Sequence, residues 1–481
     1  MSFSYKCVNC GKVFNGDLII SRCLYCGGLL FVEYEVDELR VSDIQTMWRY
    51  KKILPIHENE KIISLSEGFT PLIRAENLEK IVGFSRIYLK DETRNPTGSF
   101  NDRGISLEIS KIVNHGINNV VCATRGDTGV SLAAYASKAG INATIYVPRT
   151  IDTGKLYQIA MYGAKLKLVR SFNNACSLAE SHKLEAHVFR PSNPLFLEGL
   201  KTVGIEIIEQ LGWETPDAII VPMGNGGLAT MLFKAMNELQ ALGLIDEKPM
   251  IIGVQIKGQD TILSALTRGL ERIETLEDFG KIIARDLLIE DLDLANNTLQ
   301  MLKKGEIKGA SISYKEVIQA VENLAKSEGI LSEPASAVAI AAIKRIYDEG
   351  LIDKGDTIVS IVTGSGLRVP NMFHEILKKK GELREIIDLV VSGQRISRIG
   401  VTKLKILEIL KNGSLYGYEL KKKLEHVGIK ISLATLYQHL RELEKLGLIS
   451  RIEGWIGKKK RVYYVLTNKG FQILEGLSHT H

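Results

Sequence analysis

Ala218-Ile219-Ile220-Val221-Pro222-Met223-Gly224-Asn225-Gly226-Gly227-Leu228 joins a short apolar run to a glycine-rich turn and then to the start of a helical pattern. A run of four apolar residues closed by such a turn reads as a strand buried on both faces, as in a parallel sheet. Gly224, Asn225, Gly226, Gly227 and Leu228 then direct backbone N–H groups at one point, and the dipole of the helix that follows adds attraction for an anion.

The same arrangement recurs on either side. The apolar run 358–362 is followed by Thr363-Gly364-Ser365-Gly366, which offers hydroxyls to the polar edge of a ligand, and the run 120–123 by Thr124-Arg125-Gly126-Asp127-Thr128-Gly129. Further runs at 143–147 and 251–254 read as strands, with helical stretches such as 129–139 and 197–210 between them. One glycine turn is as often structural as functional. Three at strand ends predict an α/β sheet covered on both faces, with its ligand at the carboxyl ends of the strands.

The N-terminal segment is marked by cysteine. Cys7 and Cys10 form one C-x-x-C, Cys23 and Cys26 a second, and glycines follow each pair. Four thiolates at this spacing predict a structural tetrahedral zinc site, whose metal supplies folding energy that so short a segment cannot draw from a core. The alternative is a pair of redox or coincidental motifs.

The 481 residues are too many for one core, and their net charge of +6 is unevenly spread. Residues 401–481 hold 15 basic and 7 acidic side chains, a net +8, which leaves the rest at −2. The basic excess in the last part of the chain is where a polyanionic partner belongs. No apolar run is long enough to cross a bilayer, and the N-terminus has no secretory pattern, so no membrane partner and a cytoplasmic location are expected.

That basic part has its own pattern. Helices are expected at 401–411, 416–424 and 433–446, the last capped by Ser432 and ended by Gly447. Strands are expected at 449–452 and 461–466, joined by a turn containing Lys458, Lys459 and Lys460, with a last helix capped by Thr467. The order is that of a winged helix-turn-helix. Leu415-Tyr416-Gly417-Tyr418-Glu419-Leu420 and the segment 432–446 resemble the PadR-like transcriptional regulators. The resemblance implies double-stranded DNA as partner. Thr435, Gln438, His439 and Arg441 would face the major groove, and Lys458, Lys459 and Lys460 would lie on phosphates. A winged helix used for dimer contacts alone is the alternative.

Residues 1–380 also resemble a known family. Asn95-Pro96-Thr97-Gly98-Ser99-Phe100-Asn101-Asp102-Arg103-Gly104 is similar to the lysine segment of fold-type-II pyridoxal-phosphate enzymes. Trp48-Arg49-Tyr50, Glu67-Gly68-Phe69-Thr70-Pro71-Leu72, Glu198-Gly199-Leu200-Lys201-Thr202 and Glu333-Pro334-Ala335-Ser336-Ala337 resemble threonine synthases in particular, some of which carry a zinc ribbon. The resemblance implies a two-lobed, tryptophan synthase β-like fold. Its domains would be a ribbon at 1–35, a pyridoxal-phosphate domain at 36–390 and a winged helix at 397–476, with a boundary in 392–400. It also implies a role for each loop. Gly224 to Leu228 would hold the cofactor phosphate, Thr363 would face the pyridine nitrogen and Asp127 the 3′-oxygen. Thr124, Arg125, Gly126 and Thr128 would receive a substrate carboxylate, and the expected substrate is phosphohomoserine.

The pattern breaks at its reactive atom. The family reads Ser-Phe-Lys-Asp-Arg, and Asn101 stands in the lysine position. An amide neither bonds the cofactor covalently nor accepts a proton near neutral pH, and losing a positioned base alone costs ~10² to 10⁴ in rate. Lys90 has a counterpart in relatives beside the usual lysine, so it is not expected to substitute. Arg125 is a second departure, since a small hydroxyl residue usually stands there. It would either strengthen anion binding or fill the substrate space. Drift in a redundant copy, or an engineered trap variant, is the bland account. The sharper one is a regulator, expected as a homodimer, whose sensor is a disabled threonine synthase fold that binds pyridoxal phosphate or an amino acid. The alternatives are a working threonine synthase, a carbon–oxygen lyase, with a regulatory winged helix, or a general amino-acid lyase on the same fold.

Overall fold

A computed structural model describes residues 3–35, 38–84, 86–274, 284–377, 401–456, 459–471 and 474. The chain divides into two compact units, Met1–Phe373 and His374–His481. The boundary expected at 392–400 lies outside the described residues.

Among the described residues, the first unit holds three sheets. The ribbon is antiparallel: β1 (Phe3–Cys7) lies between β2 (Val13–Asn15) and β3 (Leu30–Tyr34). Its small core of Phe3, Tyr5, Phe14, Leu30 and Val32 includes Leu195 of the Pro194–Gln210 helix, so the ribbon is packed onto the larger body.

The larger body carries two open sheets rather than one. In the first, β4 (Leu72–Arg74), β5 (Ile87–Asp91), β10 (Ala218–Pro222), β11 (Met250–Ile256), β12 (Lys308–Ile312) and β13 (Ile358–Val362) lie in the order β12-β11-β10-β13-β5-β4, parallel except for the β4–β5 pair. In the second, β6 (Asn119–Ala123), β7 (Asn142–Pro148), β8 (Lys165–Val169) and β9 (His187–Phe189) lie in the order β8-β7-β6-β9, all parallel. Every residue of β10 and β13 is buried, as their apolar runs, broken only by Ser360 in β13, lead one to expect. β8, with lysines alternating between apolar residues, is an edge strand, and its charges discourage further pairing.

The expected strand ends are where the glycine loops begin. The Gly227–Ala241 helix follows β10, the Asp127–Ala139 helix follows β6, and the Gly366–Arg368 turn follows β13.

The second unit is a winged helix. The Val401–Leu410, Gly417–His426 and Leu433–Lys445 helices pack through Leu407, Leu420, Leu424, Leu436, Leu440 and Leu443. A sheet of order β14-β16-β15 completes it, built from β14 (Leu415–Tyr416), β15 (Ile449–Ile456) and β16 (Lys459–Leu466). The wing strands are longer than the apolar pattern indicated. Eight cross-strand pairs, from Ile449↔Leu466 to Ile456↔Lys459, carry the ladder past the last alternating apolar residue. Lys459 and Lys460 therefore stand on a strand and not in the turn, while Lys458 lies outside the described residues.

Candidate cofactor cavity and DNA-binding face

The three loops converge. Asn101, Thr124, Arg125, Gly126, Asp127, Thr128, Gly224, Asn225, Gly226, Gly227, Leu228 and Thr363 all line one cavity between the carboxyl ends of the two parallel sheets.

The phosphate loop is built by close approach. Gly226 has φ 85°, and a Cβ there would lie 2.2 Å from Thr298 Oγ1. Thr298 Oγ1 donates to the Asn225 carbonyl at 3.0 Å, so the Leu292–Lys304 helix supports the turn from behind. Asn225 turns its side chain outward, where Oδ1 accepts the N–H groups of Glu290 at 2.6 Å and Asp291 at 3.0 Å. No side chain caps the Gly227–Ala241 helix, which leaves its first-turn N–H groups to an anion. Thr363 Oγ1 lies 2.9 Å from Ser336 Oγ, which also bonds Gly364 N at 2.7 Å.

Asn101 opens the Asn101–Asn114 helix and is 6 % exposed. Its amide donates to Ser99 Oγ at 3.2 Å. The residues around it are locked: Phe100 N donates to Thr363 O at 3.1 Å, and Asp102 takes both the N–H and the hydroxyl of Thr97 at 2.7 Å. The position is held as a reactive residue would be, but with no amine.

Lys90 does not reach the cavity. Its ammonium gives hydrogen bonds to Thr70 O, Glu206 Oε2 and Gln210 Oε1, all at 2.8 Å, which saturates its three donors. Lys201 is likewise enclosed by Glu198 and Glu238 at 2.7 Å and by Ile53 O at 3.0 Å.

A charged cluster that the sequence reading missed occupies the cavity wall. Lys155, 2 % exposed, lies 2.6 Å from Asp127 Oδ1, 2.7 Å from Asp286 Oδ1 and 3.6 Å from Glu333 Oε2. Arg368 Nη2 adds a contact to Asp127 Oδ1 at 2.9 Å. Lys155 follows β7 in one sheet, whereas Asp286, Glu333 and Arg368 follow strands of the other, so the cluster ties the two lobes together across the cavity. Burial would lower the Lys155 pKa, but the three carboxylates overcome it and raise it well above the ordinary lysine range. Burial pushes the Glu333 carboxyl up to about 8, with repulsion from Asp127 adding to it and Lys155 opposing. Glu333 Oε2 is buried without a hydrogen-bond partner.

Arg125 lines the cavity but is not free. Its guanidinium stacks on Phe172, 4.4 Å from the ring centre, with Nε 3.8 Å from Glu290 Oε1. Burial pushes Glu290 up to about 7, against the pull of Arg125.

The four ribbon cysteines are brought together, with Cys7 Sγ 3.5 Å from Cys26 Sγ and Cys10 Sγ 3.6 Å from Cys23 Sγ. All four are free thiols, a donor set suited to one tetrahedral zinc. In the second unit, Gln438 and Arg441 are exposed on the Leu433–Lys445 helix, and Thr435 and His439 are half-buried. Thr435 N donates the capping bond to Ser432 Oγ at 3.1 Å. His439 is turned toward Glu442, 3.9 Å away.

The folds and sites together define a pyridoxal-phosphate-dependent body followed by a regulator-like winged helix, and comparison with known proteins gives the same division. Residues 63–364 match the family model of pyridoxal-phosphate dependent enzymes, and residues 406–476 match the transcriptional regulator PadR-like family. The chain is 37% identical over 378 residues to threonine synthase of Methanocaldococcus jannaschii, covering 76% of this chain and 93% of the relative. It is 32% identical over 398 residues to threonine synthase of Methanosarcina acetivorans, covering 81% and 98%. Among solved structures, maize serine racemase superposes with a TM-score of 0.55 at 22% identity, over 64% of this chain and 93% of that one. The processed form of threonine deaminase isoform 2 from Solanum lycopersicum gives 0.53 at 22% identity, over 65% and 83%. The chain belongs to the threonine synthase family of pyridoxal-phosphate-dependent enzymes and carries a PadR-like domain behind it.

The residues present fit part of the implied cofactor. The 224–228 loop suits a phosphate and Thr363 a neutral ring nitrogen, but Asn101 offers no covalent bond to an aldehyde. Among the described residues no helix is long and apolar enough to cross a membrane.

Proposed function

We propose that this protein is a cytoplasmic transcriptional regulator whose sensing unit is a threonine synthase fold that holds pyridoxal phosphate without bonding it. The observation that carries the reading is Asn101 in the lysine position, with Lys90 and Lys201 saturated elsewhere. When bound, the cofactor would supply an electron-withdrawing ring and an aldehyde. This chain's residues would bind it by the 224–228 loop and Thr363 and would offer it no neutral amine.

The ribbon cysteines would hold zinc as a structural ion. Thr435 and Gln438 would read base edges, and Arg441 and the basic wing would lie on phosphates. As a homodimer, the protein would present two winged helices to one operator, and a ligand that favours one spacing of the pair would shift operator affinity.

The test combines two assays on the full-length protein. One measures threonine formed from O-phosphohomoserine. The other measures binding to DNA selected from a random pool, with and without pyridoxal phosphate. DNA binding that depends on the cofactor, with no threonine formed, supports the regulator. Turnover comparable with that of a lysine-bearing relative overturns it. One observation favours the second reading, a working threonine synthase: the Lys155 amine lies 2.6 Å from Asp127, which lines the same cavity. Its protonation by three carboxylates opposes that role.

A further inference from the structure

Glu290 meets both functional loops of the cavity. It lies between β11 and β12, and its N–H is bound to Asn225 Oδ1 of the phosphate loop at 2.6 Å. Its carboxylate turns the other way, where Oε1 accepts the backbone N–H of Arg125 at 3.0 Å. Arg125 belongs to the loop that the family resemblance reserves for a ligand carboxylate, and Gly126 N in the same loop is taken by Thr124 Oγ1 at 3.0 Å. A carboxylate of the chain itself thus already sits on a donor that a ligand carboxylate would need.

The surrounding charges close the argument. Arg125, the cation of that loop, is matched by Glu290 and stacked on Phe172. Lys155 and Arg368 are matched by Asp127, Asp286 and Glu333. A ligand carboxylate entering here would lose water, meet a like charge, and find the nearby cations already paired.

We propose that Glu290 determines specificity by filling the carboxylate subsite, so that the cavity takes a phosphorylated pyridine bearing a simple amine and rejects the corresponding amino acid. This deepens the cofactor-site reading and rests on it. It narrows the ligand from the amino acid or phosphohomoserine that the family resemblance implies to a pyridoxyl compound lacking the α-carboxylate.

The test is calorimetric titration of the full-length protein with two stable reduced conjugates, N-(5′-phosphopyridoxyl)ethylamine and N-(5′-phosphopyridoxyl)-L-alanine. They differ only by the carboxylate. At pH 8, where Glu290 is largely ionised, the ethylamine conjugate should bind about tenfold tighter or more, the scale of a like-charge clash in a buried site. Glu290→Ala should abolish that preference. Glu290→Gln, which keeps an acceptor for Arg125 N without the charge, should reduce it and serves if the alanine variant fails to fold. An equal or reversed preference in the wild type overturns the proposal, as does an unchanged ratio in both variants. Failure of every form to bind either conjugate overturns the cofactor-site reading itself, and the proposal with it.

Discussion

Lys155 Nζ lies 2.6 Å from Asp127 Oδ1, a carboxylate that lines the cavity Asn101 leaves without an amine. Three carboxylates keep the Lys155 amine charged, and an ammonium ion has no lone pair to attack an aldehyde. The cluster has a mechanical effect as well, because its members come from both lobes. Removing Lys155 would leave Asp127, Asp286 and Glu333 facing one another, so Lys155→Ala should cost ~3–5 kcal/mol of stability, as breaking buried ion pairs does.

Restoring the amine at its family position should restore covalent capture. Asn101→Lys places a lysine at the first turn of the Asn101–Asn114 helix, inside the cavity. With pyridoxal phosphate the variant should develop a band that borohydride removes, with the label on residue 101. The spectrum before and after reduction checks this.

Stability should fall as pH rises through neutrality. Glu290 and Glu333 have pKa values raised to about 7 and about 8, from an ordinary 4.5. Between about pH 5 and 8 the folded unit therefore keeps protons that the unfolded chain has released, so stability is greatest at the acid end of that window and is lost toward its alkaline end. Urea unfolding at pH 5.5 and pH 8 checks it, and Glu333→Gln should flatten the dependence.

Metal removal should be felt at the phosphate loop. Arg22 directly precedes Cys23, and its Nη2 reaches Asp291 Oδ2 at 3.0 Å. Asp291 also accepts from Ser192, caps the Leu292–Lys304 helix through Leu294 N, and gives its own N–H to Asn225. Under the proposed zinc assignment, chelation at the four ribbon cysteines should weaken pyridoxal phosphate binding. Arg22→Ala with metal retained should weaken it about tenfold, as loss of one charge-assisted bond would. Calorimetry on both forms checks this.

On DNA, the exposed helix residues should separate by role. Gln438 lies nearer the start of the Leu433–Lys445 helix than Arg441 does. Gln438→Ala should cost roughly 1–3 kcal/mol of discrimination between sites. Arg441→Ala should instead weaken all sites alike and reduce the slope of log affinity against log salt by about 0.9. Fluorescence anisotropy across a salt series reads both.

The parts of this architecture that were legible in the sequence are those where local chemistry and tertiary role coincide. The 218–228 stretch had to be a buried strand, since nothing else suits four apolar residues ahead of three glycines in a loop. The cysteine pairs and Asn101 were legible because their spacing or neighbours admit few readings. Asp286 and Glu290 were not, because they stand in an irregular segment with no periodicity to place them, and only the fold brings them to Lys155 and Arg125. Lys155 had one available signal, its position just after the strand ending at Pro148. The division of the strands into two sheets was likewise not written in any run of residues. The alternation of helices and strands is the same either way, and packing decides it.

The central claim is that this cavity binds pyridoxal phosphate without an amine to bond it. Its most direct test is borohydride reduction of the wild-type protein saturated with pyridoxal phosphate, followed by mass spectrometry of its peptides. The account predicts saturable binding and no pyridoxyl label on any residue of the cavity. A stoichiometric label on Lys155 would contradict it and return the chain to the working enzymes of its family.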